Sequence, residues 1–234
     1  MDFKQNALFF NHKRTRFWTT LSYTSYLFFA IAVVVLVSTM GWVAAALPFA
    51  SVGVVILLTS HSMVTSEKQI KEQIELLKKG AKEAALEHFD YPEQQPDLFF
   101  EFEGYDLVDE TLPIRKRKNG RVFSSVYVIT YMMLESTGLR IWEKKSSILE
   151  DKEEILTKDI PFTELMGAES HTEIAKRVCI DGTENDIPMN FLTIKDKDGN
   201  VVCTAYCKAF NYDIDRLGEN LKHNIARANM AVNK

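Results

Sequence analysis

Between Arg16 and His61 the chain contains no Asp, Glu, Lys or Arg. That uncharged stretch, residues 17–60, is 44 residues long. As one helix it would measure about 66 Å at 1.5 Å per residue, against a hydrocarbon core of about 30 Å. One membrane span cannot use it; two can. Cysteine is also scarce, with only Cys179, Cys203 and Cys207, and none forms a C-x-x-C or His-bearing zinc pattern. Cys203 and Cys207 are four residues apart on one predicted strand, too far for an unstrained disulfide. His12, His61, His88, His171 and His223 are scattered, none at metal-ligand spacing from another His or a Cys. No G-x-S-x-G, phosphate loop, dinucleotide fingerprint or H-E-x-x-H occurs. These absences leave no catalytic, cofactor-binding or metal residue to nominate, and the expectation is a non-enzyme. The lack of ionisable groups within the spans also argues against an ion or proton path through them.

What is present sets the architecture. The sequence predicts helices over 21–37 and 44–60, broken at Ser38-Thr39-Met40-Gly41-Trp42, where Gly41 permits a turn and Trp42 suits the interface. Pro48 falls early in the second helix, and Ala46, Ala50 and Gly53 form a small-residue row for close packing. Lys4, Lys13, Arg14 and Arg16 precede the pair; Lys68, Lys71, Lys78 and Lys79 follow it. The basic bias places both termini in the cytoplasm, in a multi-pass protein of the inner or plasma membrane. Two competing readings are a helical hairpin buried in a soluble core and a cleaved secretory signal ending near Ala44-Ala45-Ala46.

Charge divides the chain as well. Residues 1–60 hold four basic residues and Asp2, a net of +3; the whole chain is −4, which leaves −7 for residues 61–234. Such a domain is a poor nucleic-acid binder.

Beyond the spans, Thr65-Ser66-Glu67 predicts a helix start, and a membrane-proximal helix is expected within 62–89. Ile70, Ile74, Leu77, Ala81 and Ala84 recur at heptad spacing, so this face either packs on its own domain or, through Ile70, Ile74 and Leu77, forms an oligomer seam. Tyr91-Pro92-Glu93-Gln94-Gln95-Pro96 reads as a linker. A β-rich region from 97 to 234 follows. Strands are expected over 98–103, 111–118, 123–134, 139–145, 154–160, 165–170, 177–180, 190–195 and 201–208. Asn119-Gly120 reads as a two-residue hairpin turn, and Asp196-Lys197-Asp198-Gly199-Asn200 as a further turn. Asp213 caps a closing helix carrying Ile214, Leu217, Leu221 and Ile225. The fold class is α+β: a transmembrane hairpin over 21–60 behind a basic N-terminus (1–20), a linker helix, then antiparallel strands closed by a C-terminal helix.

The run from Ser124 to Lys145, with Thr137-Gly138-Leu139-Arg140-Ile141, resembles the first hairpin of bacterial pleckstrin-homology-like domains. The segment Ile155-Leu156-Thr157-Lys158-Asp159-Ile160-Pro161-Phe162-Thr163-Glu164-Leu165, the turn at Asp198-Gly199-Asn200 and the helix from Asp213 also resemble that family. A two-span hairpin ahead of such a domain is similar to small bacterial membrane proteins of the YcxB-like kind. The resemblance implies a PH-like half-barrel that serves as a scaffold, binding a protein partner or itself as a homo-oligomer. Eukaryotic relatives often bind phosphoinositides through the first hairpin; the matching loop here, Glu135-Ser136-Thr137, has no basic residue. The alternative is a sensor of anionic membrane lipid, acting through Arg115, Lys116, Arg117, Lys118 and Arg121, at about 1 kcal/mol per basic residue near a surface. A solvated turn that limits edge aggregation is the favoured reading of the same cluster.

Overall fold

Asn11 starts the first long helix. Its Oδ1 accepts the Arg14 N–H at 3.0 Å, which caps a helix running His12–Ser38. The computed structural model describes residues 2–39, 43–62, 66–90, 98–117, 119–208 and 212–232. It contains two compact units, Met1–Glu72 and Gln73–Lys234.

In the first unit, α1 (Phe3–Phe10) precedes α2 (His12–Ser38) and α3 (Val43–Ser62). The first long helix thus begins at His12, not at residue 21. Neither proline nor glycine interrupts 12–20, so the helix extends outward from the uncharged stretch to its Asn11 cap. The expected break at 40–42 lies outside the described residues. Both α2 and α3 are long and apolar enough to cross a membrane. Their apolar side chains face outward: Val34 is 65% exposed, Val37 75% and Leu58 64%. A helical hairpin buried in a soluble core would hide these residues. The helices pack along each other, and Gly53 lies at a close approach between them. A Cβ there would sit 3.2 Å from the Phe29 ring and from the Ser25 carbonyl oxygen. The hydroxyls of Ser22, Thr24, Ser25, Ser51 and Ser60 donate to carbonyls three or four residues back, so these polar groups are satisfied within apolar helices.

α4 (Glu67–Phe89) opens with a capping box that the hydroxyl signal only half disclosed. Ser66 Oγ accepts the Gln69 N–H at 3.2 Å, and Gln69 Oε1 accepts the Ser66 N–H at 2.7 Å. Asp90, at φ +50°, ends it. The proline-bearing linker expected at 91–96 lies outside the described residues.

The described residues of the second unit form nine antiparallel strands: β1 Phe99–Tyr105, β2 Ile114–Lys116, β3 Val122–Ser124, β4 Val126–Leu134, β5 Gly138–Ser147, β6 Glu153–Pro161, β7 Leu165–Val178, β8 Glu184–Asp196 and β9 Val201–Cys207. They form a four-stranded sheet ordered β1-β4-β5-β6, a three-stranded sheet ordered β7-β8-β9, and a separate β2–β3 hairpin. A short 3-10 turn, Phe162–Glu164, carries the chain from the first sheet to the second. β1 and β9 lie close where the two sheets meet; a Cβ on Gly104 would come 2.9 Å from Tyr206 Cβ. α5 (Tyr212–Val232) presents Ile214, Leu217, Leu221 and Ile225 to a core that includes Phe100, Phe102, Leu139, Ile141, Leu192 and Ile194. This is a mixed α+β chain with two apolar N-terminal helices and antiparallel sheets.

Several strand boundaries differ from expectation: β2 is confined to Ile114–Lys116, and β8 begins at Glu184 rather than at residue 190. The run 123–134 is two strands, because the chain bends at Ser125, whose N–H donates to the Pro113 carbonyl and whose carbonyl accepts the Ile148 N–H. The segments 165–170 and 177–180 belong to one strand, β7, because the polar residues between them continue to pair with β8. Asn119-Gly120 does not make a two-residue turn. Arg117 N–H donates to Arg121 O, and Gly120, at φ +82°, donates to Arg117 O. The same pattern recurs at Cys179–Thr183 with Gly182 and at Asp196–Asn200 with Gly199. In each the glycine occupies the left-handed position that closes a longer loop.

Candidate functional site

Residues 73–89 of α4 cover the outer face of the four-stranded sheet, opposite the core. Phe99, Glu101, Glu103 and Tyr105 alternate onto this face from β1, with Tyr127, Ile129, Tyr131 and Met133 from β4. The Phe89 and Phe99 rings meet edge to face at 6.2 Å, and Phe99 stacks on Tyr131 at 5.2 Å. Glu103 is the polar centre of the face. It accepts from Lys78 Nζ of α4 at 3.0 Å, Tyr127 OH of β4 at 2.7 Å and Lys208 Nζ, just past β9, at 2.5 Å. Burial alone would raise the Glu103 pKa; the bonds from Lys208, Tyr127 and Lys78 outweigh it and hold the carboxylate below its ordinary range. Burial, reinforced by Glu103, drives the Tyr127 hydroxyl far above its ordinary value, so it stays a donor. At the other end of α4, Arg140 donates to the carbonyls of Phe89 and His88, both at 3.3 Å, and to Glu135 and Asp159. Ile70, Ile74 and Leu77 are buried within the chain. Self-association through Ile74 and Leu77 would require residues 73–89 to leave the surface they cover.

The basic hairpin has a different neighbourhood from the one its sequence suggests. Ile114 on β2 packs with Cys179 and Ile187 of the β7–β8 hairpin, and the Ile180 N–H donates to the Ile114 carbonyl at 2.8 Å. The tip of the β7–β8 hairpin bears Asp181, Glu184 and Asp186. Arg115 is half-buried beside Asp181; burial, with Arg117 adding, brings its guanidinium down to about 10, against the pull of Asp181. It remains charged at neutral pH. Lys116 is exposed and donates to Asn185 Oδ1 at 2.8 Å, Arg117 is half-buried at the turn, and Arg121 is exposed. Lys118 lies outside the described residues. Acidic groups at the β7–β8 tip thus offset part of the positive field that a lipid surface would meet. This pairing spans more than 60 residues and left no signal in the local sequence.

Between the sheets, at the end away from α5, a cavity of about 330 Å³ is lined by Glu143, Lys145, Leu156, Lys158, Cys203 and Tyr206, among others. Thr130 Oγ1 donates to Glu143 Oε2 at 3.1 Å, and Lys158 Nζ bonds the Val202 carbonyl across the gap. Burial raises the Glu143 pKa and pushes the Cys203 thiol up to about 12, so that thiol is a poor nucleophile. Nearby, buried Asp106 accepts from Tyr206 OH at 2.8 Å and from the Val108 N–H at 3.1 Å. Among the described residues no group of three or more His, Cys, Asp or Glu is placed to hold a metal ion.

No protein-family model, curated protein or solved structure matches this chain.

Proposed function

We propose that the protein is a membrane-anchored, non-catalytic interaction module whose cytoplasmic domain is a PH-like half-barrel. The observation that carries this reading is the order of the second unit: four antiparallel strands, then three, then one amphipathic helix whose Ile214, Leu217, Leu221 and Ile225 fill the core between the sheets. The resemblance in sequence begins at Ser124, so it takes in β4, β5, β6 and the closing helix and leaves out β1. Two apolar helices ahead of it supply the anchor, and the distribution of Lys and Arg favours both termini on the cytoplasmic side. The domain meets a protein partner or a second copy of itself. Its polar groups support this role, because Glu103, Arg140 and Arg177 are engaged in holding elements together.

The test is purification of the full-length protein in mild detergent, with the particle mass measured and every bound species identified. A homo-oligomer or a stable protein complex is the expected result. A monomer carrying no protein overturns the reading.

A further inference from the structure

β7 is the longest strand, 14 residues, and lies at the edge of its sheet; among the described residues no strand pairs with its other side. Edge strands are usually blunted by proline or by short length. β7 is neither short nor interrupted by proline, and its one irregularity, at Leu165/Gly167, lies at its beginning. The free edge also exposes apolar surface, with Ile174 72% exposed.

The hydrogen-bond parity of this edge can be read from the hairpin turn. Cys179 N–H donates to Thr183 O across the turn, so odd-numbered β7 residues bond inward to β8 and even-numbered ones direct N–H and C=O outward. Ser170, Thr172, Ile174 and Lys176 therefore present their backbone groups to this edge, where the Lys176 carbonyl accepts from Arg177 Nη1 at 3.1 Å, and all four residues are exposed. We infer that β7 pairs antiparallel with β7 of a second copy, about a twofold axis at Thr172. This rests on the interaction-module reading and names its partner.

Charge favours that register over its immediate neighbours. Centred on Thr172, His171 of each copy lies opposite Glu173 of the other, Glu169 opposite Ala175, and Lys176 opposite Ala168; no like charges face one another. Moving the centre by one residue either way places Glu169 opposite Glu173, or Glu173 opposite Glu173. In the chosen register Ile174 lies opposite Ser170, so pairing covers the most exposed apolar side chain of the edge. The contact is isologous and closes on itself as a dimer.

The test uses the full-length protein in mild detergent or native membranes. In a hydrogen-bonded antiparallel pair opposite Cα atoms are about 5.5 Å apart, within disulfide reach. Thr172→Cys should form a disulfide-linked dimer under mild oxidation, whereas Lys176→Cys, also exposed, should not. The native cysteines are buried and give little background. Thr172→Pro removes an outward N–H, along with the Thr172 Oγ1 bond to Asn190 Oδ1 at 2.8 Å within the protomer; the dimer loses two donors and should weaken about thirtyfold. An oligomer in which Thr172→Cys cross-links no better than Lys176→Cys overturns the β7 pairing and leaves the interaction-module reading standing. So does a single copy bound to a different protein. A monomer bearing no protein overturns both.

Discussion

Lys78 Nζ on α4 lies 3.0 Å from Glu103 Oε1 on β1, and the same carboxylate receives Tyr127 and Lys208. One side chain therefore joins a helix, two strands of one sheet and the end of a strand in the other. Glu103→Ala would leave Tyr127 OH without its acceptor under α4 and two ammonium groups without theirs. We expect a loss of about 2 kcal/mol, read by thermal or denaturant unfolding of the full-length protein in detergent. The pH dependence has a definite sign. The folded pKa of Glu103 is depressed, so its contribution is full above its ordinary 4.5 and is lost as pH falls through the folded value. Lys78 is raised by Glu103 against the opposing effect of burial, so its share is full below 10.5 and is lost only as pH rises beyond that. Glu103→Ala should thus flatten the acid limb of the wild-type stability curve. An unchanged acid limb would refute the assignment.

Arg140 acts at the other end of α4. Its guanidinium caps the carbonyls of His88 and Phe89 and lies 5.4 Å from the Phe89 ring centroid. A cation at a helix C-terminus, bonded to its last carbonyls, stabilises the final turn. Arg140→Ala should fray that turn, costing about 1–2 kcal/mol and raising amide exchange over the last turn of α4. Arg140→Lys should restore only part of this, since an ammonium cannot span two carbonyls and two carboxylates as the planar fork does.

Arg177 fastens the loop after β1 to β7. Buried, it donates to the carbonyls of Leu107 and Val108, both at 2.7 Å, and to Glu110. Arg177→Met keeps the volume but strands two carbonyls. The expected cost is about 2 kcal/mol, with faster proteolysis within residues 106–111 as the local signature.

These three polar centres mark the limit of what the sequence discloses. The uncharged stretch, the period-2 runs with their Gly-bearing turns, and the 3.6-period of α5 are local signals, and each corresponds to an observed element. The helix start at Asn11 was hidden because the cap lies well outside the apolar stretch it serves. The unity of β7 was hidden because its polar middle resembles a loop. Glu103 and Lys208 are 105 residues apart, and Arg177 and Val108 are 69 apart. Nothing at either end signals the partner, since each charge also reads as an ordinary solvated residue. The basic cluster misleads in the same way: its acidic neighbours come from another hairpin.

Two glycines separate a side-chain clash from a backbone clash. A Cβ at Gly104 would press on Tyr206 Cβ at 2.9 Å, an atom that can give way only if β9 moves with it. At Gly138 a Cβ would collide with the carbonyl oxygen of Ile160 and crowd Pro161 Cα at 3.1 Å, backbone atoms fixed by the β5–β6 ladder. Gly104→Ala should cost about 1–3 kcal/mol and Gly138→Ala more, through lost β5–β6 pairing. The reverse order in unfolding midpoints would contradict this account.

Glu143 gives the opposite pH signature to Glu103. It lies in the cavity between the sheets with Thr130 as its donor, and burial raises its pKa despite the nearby Lys145 and Lys158. The folded state therefore binds this proton more tightly than the unfolded state, and the charged form costs stability at neutral pH. Glu143→Gln retains an acceptor for Thr130 and removes the charge. It should raise the melting temperature at pH 7. The gain should shrink as pH falls through the folded pKa, because wild type then becomes neutral at this position as well. A variant less stable than wild type at pH 7 would mean that Lys145 and Lys158 contribute more to holding Glu143 ionised than burial takes away.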